Sequence, residues 1–461
     1  MVFIHPGGFV GGSAGEDAYD GGRMATKGVT VVSFNYRVGA FGFATHPSIG
    51  ANFGLLDQQE ALAWIRRNIR RFGGNQRNIT LYGASSGAVS ARWLMATPPS
   101  TWNFNRVILQ SGGFDAPLSL APCISYRKAQ KYTELLFDKL GTRDPTVLRR
   151  MPMRAVLAAS HSIYMEKCGN TAITIPQAFV WAPVFDGVTF VSTSLDHVPQ
   201  YVPLLLGCAV SETQYSFRPG RFPSREDLET WINHHCGASS QKVLDCLRSY
   251  KGGDNDFAER FATTLFFFEP CMATAYNYHY KGGRTVYVYH FAKGRQTMPG
   301  GREGASHTRD IPYVFENLPR LTDVYQWDVE DGQIANKMQS AWVAFARSGE
   351  PRCREVGDWR PFPYATKSFG SDLPADADMV LGELVQILLI ERRNRLFGPN
   401  PAENPGLETL QEEPDEEMDD QEMFDESMFS EDPMFPEDPT FFEDAMFSED
   451  PMFSEDSMQL G

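Results

Sequence analysis

At 461 residues, 42% of them hydrophobic, the chain has room for one large α/β domain or two or three small ones with a real core. No apolar run approaches the ~20 residues that a membrane-spanning helix needs. The net charge of −16 sits in one place: the 60 residues from Ala402 carry 22 acidic residues and no Lys or Arg, leaving the rest of the chain at +6.

The start, Met-Val-Phe-Ile-His-Pro, lacks the charged region and cleavage site of a signal peptide. Val2–Ile4 reads instead as a buried strand. His5-Pro6-Gly7-Gly8-Phe9 follows it at once. Consecutive glycines there let backbone N–H groups approach a ligand with no Cβ in the way, as an oxyanion hole requires; an ordinary glycine-rich turn is the competing reading. Val29–Tyr36 is a β-branched apolar run, predicted to be a strand buried on both faces. Leu56–Arg70 carries Ala61, Leu62, Ile65 and Ile69 at helical spacing, and Phe72-Gly73-Gly74-Asn75 ends that amphipathic helix. Arg66, Arg67, Arg70 and Arg71 fall on it as a solvated face. No nucleic-acid motif accompanies them, so nucleic acid is not an expected partner.

Ile79 to Gly87 reads Ile-Thr-Leu-Tyr-Gly-Ala-Ser-Ser-Gly. A short strand passes through Gly83-x-Ser85-x-Gly87 into the helical composition of Ala88–Met95. In so tight a strand-to-helix turn, a side chain at Gly83 or Gly87 would collide. The apical Ser85 is held out at the carboxyl edge of a sheet, beside the free N–H groups of a helix start. Gly11-Gly12-Ser13-Ala14-Gly15 matches the same pattern but lacks strand and helix, so Ser13 reads as a loop residue. Ser86 loses the flanking glycines by one step of register. Arg106–Gln110 and Leu204–Gly207 are further strands, and the alternation predicts a mostly parallel sheet with helices on both faces.

Seven scattered cysteines contain no Cys-x-x-Cys, which argues against a zinc site. Cys236 and Cys246 either bridge a small loop or are buried thiols. In the tail, the pattern Met-Phe-x-Glu-Asp-Pro recurs every six residues from Met428, Met434, Thr440, Met446 and Met452. High charge, frequent proline and no periodic apolar face predict disorder over 399–461. Its two readings are a repeat expansion without a role and a docking segment, with Phe anchors amid acids, for a basic protein partner or the chain's own body.

Several motifs fall in one order: Asn35-Tyr36-Arg37, Gly42-Phe43, Asn52-Phe53-Gly54-Leu55-Leu56-Asp57-Gln58, Phe72-Gly73-Gly74-Asn75, the Ser85 elbow, Leu109-Gln110-Ser111-Gly112, Pro183-Val184-Phe185-Asp186-Gly187, and Trp342-x-x-Phe345-Ala346-x-x-Gly349-x-Pro351. Over residues 2 to 390 the chain resembles the type-B carboxylesterases of the α/β-hydrolase fold, the family that includes the cholinesterases. The resemblance implies a catalytic domain over 1–398 and a serine hydrolase acting on small neutral esters, with no metal or organic cofactor.

It also implies site residues. Among nine histidines, His307 lies in Gly304-Ala305-Ser306-His307-Thr308-Arg309-Asp310, similar to the family's catalytic-histidine loop. Glu212 keeps the position of the family's acid, although Ser211 and Thr213 replace its usual neighbours. Asp186 and Asp310 are rival carboxylates with structural readings. The family's His-Gly-Gly-Gly becomes His5-Pro6-Gly7-Gly8, so Gly7, Gly8 and the N–H of Ser86 are the expected oxyanion donors. Ser111 resembles a buried serine that supports the acid. Many members carry Glu before the nucleophile; Ala84 stands here, which speaks against quaternary-ammonium substrates.

The family's usual chain begins earlier, with edge strands absent here, so Val29–Tyr36 is expected to become an exposed apolar edge. The second cysteine pair of the family is not evident near Thr142 and Leu148, which leans toward an intracellular setting, or a secreted one if an upstream segment belongs to the protein. A silent binding protein, like the family's adhesion relatives, is the rival reading; such proteins usually lose the nucleophile.

Overall fold

The computed structural model describes residues 1–97, 103–113, 124–168, 180–214 apart from seven positions within 189–197, 225–250, 254–297, 301–318 and 325–370, with Leu384 and Ile387. The expected tail and the division at 398 lie outside them. The described strands are β1 (Val2–Ile4), β2 (Val32–Ser33), β3 (Thr80–Ala84), β4 (Arg106–Gln110), β5 (Leu204–Ala209), β6 (Val286–Phe291), β7 (Arg295–Thr297), β8 (Gly301–Glu303), β9 (Tyr325–Gln326) and β10 (Thr366–Phe369).

Seven strands form one sheet in the order β10-β6-β5-β4-β3-β1-β2. Every pairing in it is parallel. β8-β7-β9 make a small antiparallel sheet. All of Leu204–Ala209 and Thr80–Ala84 are buried, which a strand achieves only when helices cover both faces of its sheet. The register sets Ile4 beside Gly83 and Ala84 beside Gln110, so the loops leaving β1, β3 and β4 emerge side by side at the carboxyl edge. This is the α/β-hydrolase architecture expected from the sequence. Among the described residues no helix is long and apolar enough to cross a membrane.

Two predicted elements need correction. Of Val29–Tyr36 only Val32 and Ser33 pair, at the outer edge beside β1, and neither is fully buried. A strand with one neighbour is covered on one side only: Val29, Val31, Val32 and Phe34 rest partly buried against the core. The helix expected over 56–70 runs from Phe53 to Asn68. It then tightens into a 3₁₀ turn, Ile69–Phe72, closed by Gly73 at φ +80°. Cys236 and Cys246 hold buried thiols, with no bridge between them.

The core is threaded by aromatics: the Phe3 ring lies 4.9 Å from Tyr82 and 5.1 Å from Phe315. Behind it runs the helix Val329–Ser348, started by a capping box. Asp328 accepts from the Asp331 N–H and Asp331 from the Asp328 N–H, each at 2.8 Å. The other oxygen of Asp331 accepts the Tyr313 hydroxyl at 2.7 Å. One buried carboxylate thus serves the helix start and the segment that follows His307. Asp331→Ala should strip both groups of their partner and cost about 2–4 kcal/mol; a urea unfolding curve shifted by less than ~1 kcal/mol would show that the two groups find other partners.

Candidate active site

Ser85 follows β3 directly and precedes the helix Ser86–Met95, with φ +54° and ψ −126°. A non-glycine residue held there is strained. Its surroundings explain the strain. A Cβ on Gly87 would lie 2.1 Å from the Ile4 carbonyl oxygen, one on Gly83 2.4 Å from the Gly87 backbone, and one on Gly112 2.6 Å from the Ser85 oxygen. The Ser85 N–H donates to the Gln110 carbonyl at 2.8 Å. The serine is thus wedged between the ends of β1 and β4. Ser13 sits in an exposed turn, its hydroxyl accepting from the Gly15 N–H. Ser86 is buried, its hydroxyl without a hydrogen bond among the described residues.

Glu212 lies three residues past β5 and is 3% exposed. One oxygen accepts from the Ala209 N–H at 2.7 Å, and the other stands 2.5 Å from His307 Nδ1. The unusual neighbours of Glu212 tie down its turn. The Ser211 N–H donates to the Ala305 carbonyl at 3.0 Å, joining the acid turn to the histidine loop. The Thr213 hydroxyl donates to the Glu259 carbonyl at 3.0 Å. Glu259 itself is buried, and desolvation pushes its carboxyl up to about 7 against the hydrogen bond from Thr263.

His307 follows β8 and the turn 304–306, with its Nε2 2.8 Å from the Ser85 hydroxyl. Phe267 packs beside it, ring centres 5.4 Å apart. Burial pulls the imidazole down, but the charge and hydrogen bond of Glu212, with a further contribution from Asp310, carry it above its ordinary value. With its proton on Nδ1 the ring donates to Glu212 and accepts from Ser85. Three side chains spread over 222 positions therefore meet in one hydrogen-bonded row.

The remaining candidates sit as follows. Gly7 (φ +135°) and Gly8 (φ +60°) form the loop leaving β1. Its bend is sealed by the Val10 and Gly11 N–H groups on the Gly7 carbonyl. His5 in the same loop stacks on Tyr36 at 4.5 Å, and the Tyr36 hydroxyl donates to the His5 carbonyl. Gly87 also abuts the His5 carbonyl, so the start of the helix Ser86–Met95 packs against this loop. Ser111 is fully buried at φ +51°; its N–H donates to Gly207, and its hydroxyl has no hydrogen bond among the described residues.

Asp186 accepts from the N–H groups of Val188 and Phe190 and from Asn52, a turn carboxylate. Asp310 is fully buried and accepts from Gln110 at 2.9 Å and Tyr289 at 2.6 Å. Desolvation raises its pKa despite those bonds. The Gln110 amide oxygen in turn accepts from the Trp342 indole at 3.1 Å. This Trp342–Gln110–Asp310–Tyr289 cluster was not foreseen; its signal was the presence of Gln110 and Trp342 in recurring motifs with no role of their own. Phe267 beside the imidazole had no signal at all. Two other described histidines are engaged elsewhere: His46 with Glu134, and His279 with the Arg284 carbonyl. His290 is partly buried on β6, where desolvation lowers it to about 4.

Comparison with known proteins gives a consistent picture. The model of the carboxylesterase family matches residues 1–377. Para-nitrobenzyl esterase of Bacillus subtilis (strain 168) is 29% identical over 385 residues, covering 80% of this chain and 74% of that protein. Fumonisin B1 esterase of Sphingopyxis macrogoltabida is 29% identical over 398 residues, covering 78% and 67%. Among solved structures, a PNB esterase superposes with a TM-score of 0.68 at 26% identity, over 83% of this chain and 79% of that one.

The contact of Gly87 with β1 supplies a test. Gly87→Ala should push the helix start away from the Ile4 carbonyl and lower turnover of an aryl ester by ~10²-fold or more, since a displacement near 1 Å has that effect. Circular dichroism should show the helical content retained. Full turnover in that variant would mean the turn does not need so close an approach.

Proposed function

The chain belongs to the carboxylesterase family and hydrolyses carboxylic esters, and from that premise we propose that it does so through an acyl-enzyme on Ser85. The observation that carries the reading is the row Ser85–His307–Glu212, with contacts of 2.8 and 2.5 Å. A serine hydroxyl is not ionised at neutral pH, so it needs a base within reach, and the base needs its tautomer held. His307 Nε2 takes the Ser85 proton as Oγ attacks the ester carbonyl. Glu212 keeps the other ring proton on Nδ1 and balances the imidazolium that forms. The N–H groups of Gly7, Gly8 and Ser86 receive the oxyanion; donors of this kind contribute ~3 kcal/mol each in a dry site.

Collapse of the tetrahedral species breaks the bond to the alcohol, which leaves with the proton returned by His307. Water then enters, gives its proton to the same nitrogen, and releases the acid. The substrate class is a small neutral ester. Ala84 supports that choice, because no carboxylate precedes the nucleophile to hold a cationic alcohol group.

Ser85→Ala should lower kcat by roughly 10⁴–10⁶, and an organophosphate should label the wild-type chain once, at Ser85. Retained turnover, or label on Ser86, would move the nucleophile. The raised pKa of His307 sets the pH dependence. The base must be neutral, so kcat/KM should climb as pH rises through a value above that of a free imidazole. Glu212→Gln removes the charge that does most to hold this value up and leaves burial opposed only by the smaller pull of Asp310. The acid limb should therefore move to lower pH while the plateau falls by ~10⁴; an acid limb that stays in place would remove Glu212 from contact with the base.

A further inference from the structure

The sheet's other edge carries a surface that the chemistry does not use. Below the amino ends of β1 and β3, a hollow of about 180 Å³ opens between the strands and the helix Phe53–Asn68. Val2, Val29, Val32, Ile65, Ile69 and Ile79 line it as buried or half-buried side chains, and the surface it offers is more polar than apolar. A second hollow of about 290 Å³, lined by Arg77, Arg106 and Tyr201 among others, shares Asn78 with the first, so the two make one trough.

Its rim is basic. Arg347 lines the first hollow and bonds the Lys27 carbonyl; Arg106 lines the second and bonds Asn78. Arg70 and Arg71 stand exposed on the turn between the lining residues Ile69 and Gly73, and Arg77 is exposed too. None of these five is paired with a carboxylate among the described residues. Beside them Trp64 is 48% and Phe72 62% exposed, rings 6.1 Å apart. Exposed aromatics and unpaired guanidinium groups together suit a ligand that is both acidic and aromatic.

The chain carries such a ligand. In each of the five hexads from Met428, Met434, Thr440, Met446 and Met452, the second residue is Phe and the fourth and fifth are Glu-Asp. We propose that these hexads dock in cis on the trough at the amino edge, with a Phe against the exposed Trp64–Phe72 pair and its Glu-Asp pair on the arginine rim. Reach permits it. Forty residues lie between Ile387 and Met428, and a fully flexible chain of that length would span about 35 Å r.m.s.. Seven strands are about 29 Å across. Tethering keeps the local concentration of hexads high, and five copies compete for one trough, so a weak contact stays occupied. The trough lies across the sheet from Ser85, so docking leaves ester turnover untouched.

The test is small-angle scattering on the full chain at low ionic strength and at 1 M salt, where the Debye length falls to ~3 Å. The wild-type radius of gyration should grow with salt. Arg70→Glu/Arg71→Glu/Arg77→Glu should be expanded already at low salt, and so should Phe429→Ser/Phe435→Ser/Phe441→Ser/Phe447→Ser/Phe453→Ser. Both should hydrolyse an aryl ester at the wild-type rate, which checks that they fold. A wild-type radius insensitive to salt, or a low-salt radius unchanged in the arginine variant, overturns the proposal. A scattering mass of two chains that the phenylalanine variant abolishes overturns it as well, since the tail would then serve a second copy.

Discussion

The helix Ser86–Met95 begins against the carbonyls of Ile4 and His5, and this contact exists only because residue 87 has no side chain. Much follows from that one approach. It fixes the turn in which Ser85 is forced to positive φ, so the hydroxyl projects from the sheet rather than folding back as a cap. It also brings the start of the helix against the loop that leaves β1. The proposed nucleophile and the proposed anion-binding backbone are therefore one construction, made from two parallel strands and a missing Cβ.

The imidazole is positioned from the other side by a different device. Its loop follows the small antiparallel sheet, and two buried carboxylates hold it, one in contact and one behind. Glu212 touches His307 and is itself tied to the Ala209 N–H. Asp310, three residues on, never touches the ring; it draws its bonds from Gln110 and Tyr289. Gln110 belongs to β4, whose carbonyl receives the Ser85 N–H. The histidine loop and the nucleophile turn are thus referred to the same residue, through its side chain for one and its backbone for the other. A shift of β4 would move both together and preserve their separation.

The elements that carry the site were legible because their patterns are local. Val2–Ile4, Arg106–Gln110 and the elbow declare themselves by apolar runs and by glycines whose absence of a side chain has a mechanical meaning. Glu212 and His307 were not legible by spacing; a resemblance of motifs singled them out, since their meeting depends on loops from distant parts of the chain. What stayed hidden was partnership. Nothing in the composition of Ser211-Glu212-Thr213 says that Ser211 would bind Ala305 or Thr213 the Glu259 carbonyl. The Val29–Tyr36 run was placed rightly at an edge, where the structure has it, but its length and burial were overstated: β-branched residues announce a strand, whereas how much of the run pairs is a property of the sheet.

The electrostatic balance of the site bears on the kind of substrate. When His307 is protonated, Glu212 offsets it directly, while burial pushes Asp310 toward its neutral form. A third carboxylate at position 84 would stand within the same buried region, raise the imidazole further and favour a cation in the pocket. With Ala84 in that place, the field at the nucleophile comes from the Glu212–His307 pair and the helix N–H groups. Those groups favour negative charge where it develops, on the carbonyl oxygen, and offer nothing to a permanent positive charge on the alcohol side. For the neutral ester proposed above, such a field would assist the transition state more than the ground state.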